Sequence, residues 1–394
     1  MQKIQAIAET VAALSPGCFV GRVWRMDHGP ALVAIRDGRV IDMTSRSTPT
    51  MRDLCEMQNP ARHAMEAAGE DLGDVGDLLS GSNKSMCLLA PIDLQAIKAA
   101  GVTFASSMLE RVIEEKARGD AAMADGIRAD ITRLIGDDLS KLVPGSADAM
   151  ALKQTLIERG AWSQYLEVGI GPDAEIFTKS QVMSAVGFGA DVGIHPISSW
   201  NNPEPEVVLV VSSAGKIVGA TLGNDVNLRD VEGRSALLLS KAKDNNASCS
   251  LGPFIRLFDD GFGIDDVNAM DIQLEVDGED GFHLQGSSNM RKISRKPEAL
   301  AKATLNQHHQ YPDGFVLFCG TVFAPTQDRD GKGQGFTHHH GDRVTVANPH
   351  LGVLFNVVRS TDQCPPWNFG MSHLMRNLAA RDLLSGVVEL TTKP

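Results

Sequence analysis

The chain has 394 residues, 43% hydrophobic and 22% charged, a balance that suits a globular protein with room for two domains. Its 37 basic against 49 acidic side chains leave a formal charge of −12, which argues against nucleic-acid binding and means that an anionic substrate needs a local cation or metal. No run reaches ~18 uninterrupted apolar residues, so no membrane span or membrane partner is expected.

The predicted elements begin with a helix from Met1 to Leu14 that carries Ile4, Ile7, Val11 and Leu14 on one face and reads as an amphipathic surface helix, not a secretion signal. Strands follow at Cys18 to Trp24, Ala31 to Ile35 and, after a tight Asp37-Gly38 turn, Arg39 to Met43. Arg52 to Leu79 reads as helical and polar, and Leu94 to Ala99 as a helix closed by Gly101. Together these make a small N-terminal α/β domain over residues 1–98, followed by a second domain over 99–394. The second opens with a short strand at Val102-Thr103-Phe104 and helical spacing from Ser107 to Glu115. A charged, alanine-rich helical insertion spans about 116–164. From Ile176 onward short strands dominate, the clearest being Val207–Val211, Ile217–Leu222, Asp271–Val276, Phe282–Gln285, Phe315–Cys319, Arg343–Ala347 and Gly352–Arg359. Helices at Gly233–Ala242 and Pro297–His309 interrupt them. The fold class is therefore α+β with a rolled or closed antiparallel-rich sheet. Six scattered cysteines, Cys18, Cys55, Cys87, Cys249, Cys319 and Cys364, form no Cys-x-x-Cys pair and read as small buried apolar residues in a reduced, cytoplasmic setting.

The most informative stretch is Asn202-Pro203-Glu204-Pro205-Glu206, just before an apolar strand. Residues two apart on a strand share a face, so Glu204 and Glu206 project together. A two-residue turn at Ala214-Gly215 brings Asp225 directly opposite Glu204. Three converging carboxylates repel unless a cation sits between them, and an all-oxygen site suits Mg²⁺, with Mn²⁺ or Ca²⁺ as alternatives. The competing reading of a bare Glu-x-Glu is a solvated strand edge. Lys243, near the end of a helix, can stabilise an enolate oxygen beside such a metal or simply sit on the surface. His338-His339-His340, between glycine-rich segments, reads as an exposed loop, and Gly187-x-Gly189 lacks the third glycine of a dinucleotide site.

Four ordered motifs carry a family resemblance: Pro203-Glu204-Pro205-Glu206; Asn224-Asp225-Val226-Asn227-Leu228-Arg229-Asp230; Lys243 ahead of Gly252-Pro253; and Gly320-Thr321. In this order they resemble the fumarylacetoacetate hydrolase superfamily over about Ala99 to Arg359. The resemblance implies a mixed β-roll, metal ligands at Glu204, Glu206 and Asp225, and a homodimer or homotetramer. The hydrolases of that superfamily carry His-x-x-Glu after the first catalytic strand, where this chain has Ser107 in Val102-Thr103-Phe104-Ala105-Ser106-Ser107-Met108-Leu109-Glu110-Arg111. That segment and Ile176-Phe177-Thr178-Lys179 are instead similar to the superfamily's 2-keto-3-deoxy sugar-acid dehydratases. What this implies is metal-dependent dehydration of 2-dehydro-3-deoxy-D-pentonate to 2,5-dioxopentanoate in pentose catabolism. Lys243 would hold the enolate, and Glu110 or Glu114 would act as acid or base. Ser107, Arg111, Lys179, Arg229 and Thr321 would bind the small-molecule substrate. The alternatives are an acylpyruvate C–C hydrolase and a catalytically silent sugar-acid-binding protein.

Overall fold

The computed structural model describes residues 2–14, 17–118, 120, 123, 126–127, 142–160 and 162–384, with the side chains of residues 2 and 105–107 left aside. Two large sheets dominate. The first runs, neighbour by neighbour, Glu70–Asp74, Arg39–Asp42, Gly29–Arg36, Phe19–Arg25, Cys249–Leu257, Ile217–Asp225, Pro205–Val211, Phe315–Phe318, Ala96–Gly101 and Glu175–Ser180, with Met86–Leu88 also on Phe19–Arg25. Its pairs are antiparallel except Phe315–Phe318 with Ala96–Gly101. The second runs His283–Asn289, Asp271–Asp277, Arg343–Asn348, Gly352–Ser360 and Asp191–Ile194. The mixed α+β architecture expected from the sequence is present, but the first sheet stays open between Glu70–Asp74 and Glu175–Ser180 and does not close into a barrel.

Strand Pro205–Val211 is buried on both faces, which explains its unbroken valine and leucine run. Val207, Leu209 and Val211 face a core shared with Leu274, Val344 and Phe355 of the second sheet. Val208 and Val210 face another core with Met51, Leu54 and Ala61 of the N-terminal helices. Each such valine, fully removed from water, contributes roughly 1.5 kcal/mol or more.

Several expectations change with tertiary context. Arg52–Leu79 is not one helix: Asn59 caps the Arg62 amide and Pro60 opens a second short helix, so Met51–Cys55 and Pro60–Glu66 are separate. Glu70–Asp74 then adds an exposed edge strand before helix Val75–Ser80. Leu94–Ala99 is not helical. Strand Ala96–Gly101 is wedged between two partners, and sheet pairing overrides the local helix preference. The Val102-Thr103-Phe104 strand is replaced by a sharp corner leading into helix Ala105–Lys116. Helix Gln2–Ala13 buries Ala6 and Thr10 and packs Ile7, with Leu14 just beyond its end, against the core, while Ile4 is 75% and Val11 39% exposed, so only half of the expected apolar stripe faces the protein. Thr10 Oγ1 accepts from the Val353 amide at 3.1 Å, which fastens the helix to the second sheet. In the insertion, helix Ala147–Glu158 is present, and most of residues 119–141 lie outside the described residues. All six cysteines are free and all but Cys87 are buried. Among the described residues, no helix is long and apolar enough to cross a membrane.

Candidate metal centre

The hairpin places Pro205 opposite Asn224 and Glu206 opposite Gly223. The Asp225 amide donates to the Glu204 carbonyl at 3.0 Å, so the facing of Glu204 and Asp225 read from the sequence is present. The turn itself differs. Ser212 accepts from the Gly215 amide and donates to the Lys216 carbonyl, a three-residue loop with Gly215 at φ +79. An irregularity between Val210 and Val211 then restores the register before it reaches the carboxylates.

Glu204, Glu206 and Asp225 are buried, and each offers a carboxylate oxygen within 4.8 Å of the others. Lys243, from helix Leu239–Lys243, donates to Glu204 Oε2 at 2.5 Å and Asp225 Oδ2 at 2.9 Å. Arg111, from helix Ala105–Lys116, bonds Glu204 and reaches Glu114 at 2.7 Å and Glu232 at 3.0 Å. Burial works to raise the Glu204 carboxyl, but Arg111 and Lys243 outweigh it and hold it down to about 2. Glu206 goes the other way: burial, with Asp225 and Glu204 nearby, pushes it well above the usual carboxylate range. The Gly320 amide at 2.7 Å and Thr321 Oγ1 at 3.3 Å are its donors.

The donor set fits a hard divalent cation. It is all oxygen, and the crowding that raises Glu206 is what a cation relieves. Lys179 Nζ lies 2.9 Å from Asp225 Oδ1 but out of line for a hydrogen bond, so that buried oxygen keeps a lone pair unused.

The pocket over this cluster is lined by Arg111, Glu204, Glu206, Asp225, Lys243 and Thr321, all singled out in the sequence. Arg229, Lys179 and Glu114 sit behind it. Arg229 bonds Asn202 at 2.9 Å and the Pro325 carbonyl at 3.1 Å. Lys179 serves the carbonyls of Val226 and Lys243. Glu114 is buried between Arg111 and Arg229, its two oxygens taken by those guanidiniums. Glu110 is partly buried and does not line the pocket, and the Ser107 side chain lies outside the described residues.

Sequence reasoning missed Glu175, Phe177 and Glu232, which do line it. Glu175 and Phe177 begin the very strand whose Ile176-Phe177-Thr178-Lys179 segment stood out, and Glu232 follows Arg229 by three residues. Burial and then the neighbouring Glu232 raise the Glu175 carboxyl to about 7, against Arg111 and Lys243. The His338-His339-His340 segment is also more than an exposed loop. His338 is buried, with Nδ1 3.0 Å from Asp342 Oδ2, and burial lowers its pKa against that carboxylate. Arg329 holds Asp342 from the other side at 2.7 Å.

A family model described as fumarylacetoacetate (FAA) hydrolase C-terminal matches residues 167–359. A probable 2-keto-3-deoxyxylonate dehydratase of Haloferax volcanii is 24% identical over 83% of this chain and 94% of its own length. A 2-dehydro-3-deoxy-D-arabinonate dehydratase of Saccharolobus solfataricus is 32% identical over 47% of this chain and 58% of its own. Among solved structures, a 2-keto-3-deoxy-D-arabinonate dehydratase complexed with magnesium and 2,5-dioxopentanoate shares the fold, with a TM-score of 0.60, 22% identity and coverage of 87% of this chain and 99% of that one. The segment that carries the three carboxylates, residues 167–359, thus matches the fumarylacetoacetate hydrolase family domain.

Proposed function

We propose that this chain is a hydro-lyase that dehydrates a 2-keto-3-deoxy sugar acid, with 2-dehydro-3-deoxy-D-pentonate as substrate and 2,5-dioxopentanoate as product. One observation carries this reading: three buried carboxylates gathered beside a buried lysine and a carboxyl group raised to about 7, in one pocket. The likeness to relatives named as pentonate dehydratases supports it.

Glu204, Glu206 and Asp225 hold Mg²⁺ in this reading, and such a cation, when bound, polarises a 2-keto acid and acidifies its C3 hydrogens. Glu175 takes a proton from C3, because a carboxyl near 7 exchanges protons in both directions at neutral pH. The Lys243 ammonium, fixed by Glu204 and Asp225, stabilises the charge that develops on the C2 oxygen. The C3–H pair of electrons then forms the C3=C4 bond as the C4 hydroxyl departs, and Glu175 returns its proton to make water. A second proton moves from C5 to C3, and the resulting enol becomes the C5 aldehyde. Arg111 is committed to three carboxylates, which makes it a brace for Glu204 and Glu232.

The test is turnover of 2-keto-3-deoxypentonate with Mg²⁺, read as one aldehyde product through a coupled semialdehyde dehydrogenase. No aldehyde, with cleavage of an acylpyruvate into two fragments instead, reverses the assignment. Ligand-induced stabilisation without any turnover makes the chain a binding protein.

A further inference from the structure

The corner between strand Ala96–Gly101 and helix Ala105–Lys116 lines the pocket with two residues that carry no reactive group. The first, Gly101, pairs across the sheet with Glu175. A methyl group on Gly101 would stand 1.9 Å from Glu175 Oε2, 2.6 Å from its Cδ and 3.3 Å from its Cγ. The Glu175 side chain is thus folded into the space the glycine leaves open. The three nearest atoms all belong to that side chain, so an added methyl displaces the carboxyl group rather than the backbone. Gly101 does not have a positive φ, so its need for glycine is one of space, not of backbone conformation.

The second residue fixes where Gly101 sits. Val102 has φ +56, a conformation rare for a β-branched residue, and it is buried. Its neighbour holds it there. Thr103 Oγ1 donates to the Cys319 carbonyl at 2.6 Å, and the Thr103 carbonyl accepts from the Ser294 amide at 2.8 Å and hydroxyl at 2.9 Å. The corner is therefore pinned to the segment whose Gly320 amide holds Glu206.

We propose that Gly101 is a positioning residue, the seat that keeps the Glu175 carboxyl group inside the pocket beside the three-carboxylate cluster. This rests on the reading of Glu175 as the proton carrier. The corner then serves both halves of the chemistry, Glu175 through Gly101 and Glu206 through Thr103 and Gly320.

The experiment compares Gly101→Ala, Glu175→Gln and the double variant of the full chain, by kcat with Mg²⁺, by its pH profile and by Mn²⁺ affinity. Gly101→Ala should lower kcat about tenfold or more, the scale for a catalytic group misplaced by ~1 Å, and flatten the acid limb of the profile. Added to Glu175→Gln it should change kcat by less than about twofold, since the two act through one group. Mn²⁺ affinity should stay the same in Gly101→Ala. Wild-type kcat and profile in Gly101→Ala overturn the seat, as do additive losses or weakened Mn²⁺ binding. Wild-type kcat in Glu175→Gln instead overturns the proton-carrier reading. If Gly101→Ala does not fold, Gly101→Ala/Glu175→Ala decides: recovery of a cooperative thermal transition locates the clash at Glu175, and no recovery overturns the proposal.

Discussion

Glu204 and Asp225 face each other across a hairpin whose turn is one residue longer than the turn that first suggested the pairing. The extra residue in the loop is matched by the irregularity at Val210/Val211, and the register at the carboxylates is unchanged. A site built this way depends on register more than on turn chemistry, because a one-residue slip would turn both glutamates away from Asp225.

Removing one member of the cluster should remove the cation. Glu206→Gln should lower Mg²⁺-dependent turnover at least ~100-fold and abolish the sensitivity to EDTA that is expected of the wild-type protein. Calorimetric titration with Mn²⁺ reads the same loss without relying on activity. Undiminished turnover, or undiminished Mn²⁺ binding, removes the ligand assignment.

Glu175 sets a pH dependence of both rate and stability. Its carboxyl rises from an ordinary 4.5 to about 7 on folding, so the folded chain holds that proton more tightly than the unfolded one. Below pH 4 both states are protonated and the group is neutral to stability. As pH rises toward 7 the burial becomes a penalty, reaching at most about 3 kcal/mol. Glu175→Gln should therefore raise the Tm of the metal-free protein at pH 8 and leave it unchanged at pH 4, while turnover falls by ~100-fold or more. In the wild type, kcat/KM should decline on the acid side with a midpoint near 7. Equal Tm for both proteins at pH 8 contradicts the penalty.

Arg111 holds Glu114, Glu204 and Glu232 together with little solvent to replace it. Arg111→Met leaves three buried carboxylates short of a partner and should cost about 3–5 kcal/mol in urea unfolding. A loss under 1 kcal/mol would show that the network rearranges instead.

Thr103→Val keeps the shape of the corner but leaves the Cys319 carbonyl without its donor. The expected loss is about 1–3 kcal/mol. Because the Gly320 amide that holds Glu206 follows directly, Mn²⁺ affinity should also fall, by about tenfold. Unaltered affinity alongside lowered stability separates the corner from the metal ligands.

The sequence by itself determined the carboxylate hairpin, the lysine that joins it and the resemblance to a family domain, because these are written within short segments. Strand periodicity orients Glu204 and Glu206, hairpin register adds Asp225, and the order of four motifs carries the resemblance to the superfamily's domain, which the family model matches over residues 167–359. It could not determine the role of Leu94–Ala99, whose local preference is helical. Only pairing with Phe315–Phe318 and Glu175–Ser180, both distant in the chain, makes Ala96–Gly101 a strand. For the same reason Glu175 and Glu232 were not legible. Glu175 directly precedes Ile176-Phe177-Thr178-Lys179 and Glu232 follows Arg229 by three residues, but neither carries a mark of its own, and each becomes part of the site when the sheet edge and the helix that begins at Arg229 are folded against the hairpin. The buried His338 is the counterpart case, since glycine-rich surroundings signal an exposed loop until Asp342 and Arg329 close on it. Burial and long-range pairing belong to the folded chain as a whole, and they decide which ordinary side chains acquire unusual acidity.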